Sequence, residues 1–112
     1  MIVCVASIDG IRSAPYHVSY GAAKAGLINL VKSMSAEWSQ HGVRINAVAP
    51  SLAMHAHLAK VTTEELLAQL TTQEAFGRAA EPWEVANTIV FLASDYASYL
   101  TGEVVSVSSQ HP

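Results

Sequence analysis

Ile2-Val3-Cys4-Val5-Ala6, closed by Ser7, is the stretch whose reading decides the fold. It is apolar, rich in β-branched residues and free of alternation. That is the pattern of a strand buried on both faces of a parallel sheet. Gly10, Ser13, Pro15 and Ser19 then break any periodicity, so residues 8 to 19 read as a loop. A helix follows from about Tyr20 to Gln40. Its apolar stripe is Ala25, Leu27, Ile28, Leu30, Val31, Met34 and Trp38, with Ser19 placed to cap it and Gly42 to stop it. Residues 43 to 49 form a second buried strand ending at Pro50, which has no N–H to give to a ladder.

The second half continues the alternation. Thr62 or Thr63, with Glu65 and the stripe Leu66, Leu67 and Leu70, predicts a short helix from about residue 63. Glu81-Pro82-Trp83-Glu84 opens another helix, with proline in the first turn and acids near the N-terminus, running to about Ala93. Gly102 precedes a third strand over residues 103 to 108. The order β-α-β-(short α)-α-β predicts an α/β fold, with three parallel strands joined by helical crossovers and helices on both faces.

Composition narrows the class. The 112 residues make one domain at most. They are 51% hydrophobic and 13% charged, which points to apolar surface destined for other subunits or other parts of the same fold. The net charge of −3, with six scattered Lys and Arg, argues against a nucleic-acid partner. Cys4, the sole cysteine, reads as buried and inert. It excludes an intrachain disulfide and fits a reducing cytoplasmic setting. No apolar run reaches 18 residues, and the start lacks a basic leader and a cleavage region, so neither a membrane span nor a signal peptide is read.

The chemistry sits around Tyr20-Gly21-Ala22-Ala23-Lys24. On a helix, Tyr20 and Lys24 lie one turn apart on the same face. A phenol is a poor base near neutral pH, and a neighbouring cation favours its ionised form and so its use in proton transfer. A tyrosine and lysine four apart are common on helix surfaces; Ser7, at the end of a strand and thirteen residues earlier, adds a hydroxyl converging on the same place. His55-Ala56-His57 offers two imidazoles without a firm third ligand, so no metal site is read. Ser7, a histidine and Asp9 lack the elbow motif of a serine hydrolase.

Ser7 with the YxxxK at 20–24 resembles the catalytic pattern of the short-chain dehydrogenase/reductase family. Arg44-Ile45-Asn46-Ala47-Val48-Ala49-Pro50 looks like that family's next strand and the start of its cofactor-covering loop. Phe91-Leu92-Ala93-Ser94-Asp95 and Tyr99-Leu100-Thr101-Gly102 look like its last helix and last turn, so the resemblance covers essentially the whole chain. It implies reversible carbonyl–alcohol conversion with NAD or NADP. Tyr20 would be the general acid/base, Lys24 would tune it and hold a ribose hydroxyl, and Ser7 would hydrogen-bond the reacting oxygen. Pro50, Ser51, Ala53 and His55 would line the nicotinamide end. Ser51 stands where the family usually has glycine, and His55 where it has threonine. Asn46 is read as a strand-end residue that fixes the loop above the site.

The six glycines form no GxxxGxG or GxGxxG. In the family that phosphate-binding turn, the residues that choose between NAD and NADP, and the catalytic asparagine all lie upstream. The expected architecture is therefore the C-terminal half of a Rossmann-like doubly wound sheet, residues 1–112 being its catalytic and substrate-binding part, with residues 2–6 as an uncovered apolar edge. Residues 54 to 76 form an apolar substrate cover, which suits a bulky lipophilic substrate such as an acyl thioester or an alicyclic alcohol. The family's habit of packing the long helix against its copy implies a homo-oligomer, dimer or tetramer. Gln110-His111-Pro112 reads as a frayed end or a contact with a neighbouring subunit. The alternative reading is a catalytically inactive fragment serving as an oligomerisation or interaction module.

Overall fold

The computed structural model describes residues 1–54 and 56–109. Strands β1 (Ile2–Val5), β2 (Ile45–Pro50) and β3 (Val104–Val107) pair in the order β1-β2-β3, both pairs parallel. Parallel neighbours need long crossovers. Helix α1 (Val18–Trp38) makes the first, and α2 (Ala56–Val61), α3 (Glu64–Thr71) and α4 (Pro82–Ala93) make the second. The α/β half-sheet read from the sequence is the one observed.

β2 is the buried centre. Ile45 through Ala49 are each buried, and the strand's pleat sends alternate side chains to opposite faces. Ile45 and Ala47 join Val31 of α1 and Ala6 in the core, with Leu27, Ile28 and Met34 packed around them. α4 packs on β2 and β1 and buries Leu92 completely. β1 is less buried than a strand covered on both faces. It pairs with β2 on one side, and its other edge is open among the described residues, leaving Val5 49% exposed and Cys4 half-buried.

The helix ends follow local chemistry. Thr63 caps α3 by accepting from the Leu66 N–H at 3.1 Å, and Glu81 with Glu84 forms a reciprocal capping box around Pro82. α1 begins two residues before the expected Tyr20, with His17 at its cap position, so Ser19 lies inside the first turn. It ends at Trp38, and a 3-10 turn carries the chain to Gly42. No helix among the described residues is long and apolar enough to cross a membrane.

Asn46 does not serve the loop above the cleft. Its amide donates to the Leu100 carbonyl at 2.9 Å and accepts from the Glu103 N–H at 3.0 Å, pinning the turn that leads into β3. Residue 46 is the second of β2, about 13 Å from the strand's C-terminal end at roughly 3.3 Å per residue. It therefore secures the opposite end of the sheet.

Candidate active site

Ser7 follows β1 and starts a 3-10 turn over residues 8–10. Its Oγ accepts from the Asp9 N–H at 3.1 Å. The turn lies hard against α1: a Cβ on Gly10 would come within 2.7 Å of the Lys24 carbonyl carbon and 2.8 Å of the Ala25 nitrogen. Only glycine lets the strand end approach the helix this closely. The approach allows the Lys24 Nζ to donate to the Val5 carbonyl at 2.9 Å, tying helix to strand. The same ammonium stands 5.7 Å from the centroid of the Tyr20 ring.

Asp9 adds a contact that sequence reasoning missed. Its Oδ2 is 3.2 Å from His17 Nδ1, and the His17 ring meets the Tyr20 ring edge-on, with centroids 6.2 Å apart and planes at 76°. Tyr20 is thus held between an imidazole and an ammonium, 48% exposed, while Ser7 is 7% exposed. Both line one cleft of about 780 Å³. Pro50, Ser51 and Leu52 contribute from the end of β2, and Leu58, Leu70 and Gln73 from α2, α3 and the stretch after α3.

The expected site residues are placed as follows. Ser7, Tyr20, Pro50 and Ser51 share the cleft, and Lys24 sits beside Tyr20 at the end of β1. Ala53 pairs with Ala80 in an isolated parallel bridge, flanked by Ala80 N–H to Leu52 O at 2.8 Å and Met54 N–H to Ala80 O at 2.9 Å. His55 and the tail 110–112 lie outside the described residues. For a nicotinamide cofactor the donor set is suitable: an ammonium has three donors, so its bond to Val5 leaves capacity for a ribose hydroxyl. The backbone after Pro50 reaches the same cleft.

The loop after β2 has a buried support that no motif announced. Glu74, 4% exposed, accepts from Ser51 Oγ at 3.0 Å, the Leu52 N–H at 3.3 Å and Ser109 Oγ at 3.1 Å. One carboxylate thereby joins the loop after β2, the segment after α3 and the chain after β3. Beyond it lies a smaller cavity of about 120 Å³, reached by Arg78 and Glu84. Arg78 grips Glu84 with two bonds, of 2.8 and 2.9 Å. Together with the Glu81 N–H, which donates to Glu84 at 2.8 Å, that grip lowers the Glu84 carboxyl to a pKa of about 2 and raises Arg78 further above its ordinary value.

The chain belongs to the short-chain dehydrogenase/reductase family, and a family profile described as enoyl-(acyl carrier protein) reductase matches residues 1–109. It is 58% identical over all 112 residues to a Mycobacterium tuberculosis protein, "(5R,7aS)-5-hydroxy-7a-methyl-1-oxo-2,3,5,6,7,7a-hexahydro-1H-indene-carboxyl-CoA reductase". It is 39% identical over 107 residues, 96% of the chain, to the 3-oxoacyl-[acyl-carrier-protein] reductase of Aquifex aeolicus. The chain spans 43% of the length of each of these relatives. Among solved structures, the angucycline C-6 ketoreductase LanV with bound NADP superposes with a TM-score of 0.86 at 28% identity. That match covers 96% of this chain and 41% of LanV.

Proposed function

We propose that residues 1–112 form the catalytic and substrate-binding part of an NAD- or NADP-dependent oxidoreductase that interconverts a carbonyl and an alcohol. The observation that carries the reading is the meeting of Ser7 and Tyr20 in one cleft, with Lys24 anchored beside the tyrosine. Ser7 Oγ accepts from the Asp9 N–H, which leaves the hydroxyl hydrogen to donate to a substrate oxygen. Tyr20 delivers the proton to that oxygen during reduction and takes it back during oxidation. Lys24 stabilises the phenolate that remains and offers a donor to a ribose hydroxyl. A bound nicotinamide supplies or accepts the hydride at the carbonyl carbon. Pro50, Ser51 and Ala53 carry the backbone that flanks it, and His55 is the further candidate contact.

The substrate is bulky and lipophilic, with an acyl thioester or an alicyclic ketone the favoured class. The apolar Leu52, Leu58 and Leu70 on the cleft wall support this, as do the bicyclic CoA thioester and acyl-carrier substrates named for the relatives. A homo-oligomer in the cytoplasm completes the proposal. Half-exposed Leu30 on α1, and Trp83 and Val90 on α4, supply apolar surface for contact between copies.

The test uses the full-length protein carrying these residues. NADH and NADPH oxidation is followed with two ketone probes, decalone and acetoacetyl-CoA, and cofactor binding is titrated separately. Tyr20→Phe is expected to lower kcat by about a hundred- to ten-thousand-fold while cofactor affinity stays near that of the parent. Cofactor binding lost together with substantial turnover retained would overturn the assignment. Absence of both binding and turnover in the parent protein would favour the non-catalytic interaction module.

A further inference from the structure

Tyr16 is the one non-glycine residue with a positive φ among the described residues, at 68°. A bulky L-residue in the left-handed region is disfavoured by its own Cβ. The cause is the turn Ala14-Pro15-Tyr16-His17, closed by the His17 N–H to the Ala14 carbonyl at 3.0 Å. Proline at its second position and a left-handed third position make a type II turn, whose third position belongs to glycine or asparagine. Burial does not compensate the strain, because Tyr16 is fully exposed. The flanks impose it: Pro15 fixes one side, and His17, held by Asp9 at 3.2 Å, fixes the other. The turn places Tyr16 on the lining of the same cleft as Ser7, Tyr20, Leu58 and Leu70.

A strained residue with no packing reward, standing at the mouth of a reaction cleft, points to a ligand. We propose that Tyr16 is the specificity-determining side chain of this cleft. Its ring lies against the face of a fused alicyclic ring system carrying the reacting carbonyl, with Leu58 and Leu70 lining the rest of the pocket. The inference rests on the oxidoreductase reading above and deepens it by naming the substrate shape. Aromatic rings offer a flat apolar face at small loss of side-chain freedom, which suits a rigid bicyclic ligand better than an open chain.

The experiment compares the full-length protein with its Tyr16→Gly and Tyr16→Phe variants, using decalone as the fused-ring probe and acetoacetyl-CoA as the open-chain probe. Tyr16→Gly should melt about 2–4 °C higher, because relief of left-handed strain exceeds the added chain entropy and no packing is lost. Its ratio of kcat/KM for decalone over acetoacetyl-CoA should fall by roughly three- to tenfold, expressed in KM. Tyr16→Phe should keep the ratio. Saturation-transfer NMR reads decalone contact without turnover, and the signal should weaken in the glycine variant alone. An unchanged ratio, or equal losses on both probes, would overturn the assignment. So would a lower melting temperature in Tyr16→Gly. If the parent shows Tyr16-dependent decalone contact but reduces neither ketone, the binding role stands and the reaction falls. If it reduces acetoacetyl-CoA but never contacts decalone, the reaction stands and the Tyr16 role falls.

Discussion

The two ends of β2 are built on opposite plans. At its N-terminal end, Arg44 donates to the carbonyls of Leu92, Leu100 and Ser94, closing the end of α4. Thr101 accepts from the Ile45 N–H at 3.1 Å, Gly102 donates to the Ile45 carbonyl at 2.7 Å, and Asn46 pins both sides of the same turn. Gly102 has φ 75°, and a Cβ there would meet Ser35 Oγ at 2.6 Å. At the C-terminal end, Pro50 opens onto a cleft with a half-exposed Tyr20, a fully exposed strained Tyr16 and a loop held from beneath by Glu74. One end spends its polar groups on itself. The other leaves hydroxyls, rings and backbone facing an open cleft, at the carboxyl ends of the strands where open α/β sheets bind their ligands. The closed end and the open cleft are thus separated along a single six-residue strand.

That separation can be broken from either side. The larger expected effect is Asn46→Ala at the closed end. It leaves the Glu103 N–H without its partner, at about 1–3 kcal/mol, and strips the Leu100 carbonyl of one of its two donors, Arg44 remaining as the other; urea unfolding of the full-length protein reads the loss. Activity per folded molecule should stay unchanged, since residue 46 touches nothing in the cleft. A fall in kcat without loss of stability would show that the two ends are coupled.

A smaller effect lies on the open side, where Arg78 and Glu84 brace the start of α4. Because Glu84 has a folded pKa near 2, below the roughly 4.3 of an unfolded glutamate, the unfolded chain binds more protons between these values. The contribution is fully present above about pH 4.3 and is lost as pH falls through about 2. Glu84→Gln should therefore flatten the acid limb of the stability curve between those values and leave the curve near neutrality parallel to the parent's. An unaltered acid limb would mean that the exposed pair contributes nothing measurable.

How much of this was legible in the sequence follows from the range of each interaction. Unbroken apolar runs announced β1 and β2, and a local stripe announced α1. The Thr63 cap and the Glu81-Pro82 start are written within four residues of one another, so α3 and α4 were found nearly to the residue. Six-residue α2 carries no such signal and went unread. Ser7 and Tyr20 converge because β1 ends, and its crossover helix α1 begins, at the same carboxyl end of the sheet, which topology alone supplies. Glu74 was invisible because its partners lie 22 to 35 residues away. The Asp9–His17 contact and the left-handed Tyr16 depend on how one loop folds back on α1, and residue type does not encode that. Asn46 secures the end opposite to the one expected because its partners, Leu100 and Glu103, lie more than fifty residues away in sequence. β1 is an open apolar edge among the described residues, as its place in a half-sheet implied, but it is only partly buried where its unbroken apolar run predicted burial on both faces.

The most direct test of the central claim is a double-mutant cycle on Ser7 and Tyr20 in the full-length protein, read as kcat for ketone reduction at saturating cofactor. If both hydroxyls act on one substrate oxygen, Ser7→Ala and Tyr20→Phe each lower kcat. The double variant then falls little below Tyr20→Phe alone, because the two groups work as a unit. Losses that multiply, or a Ser7→Ala variant with the kcat of the parent, would contradict a shared site.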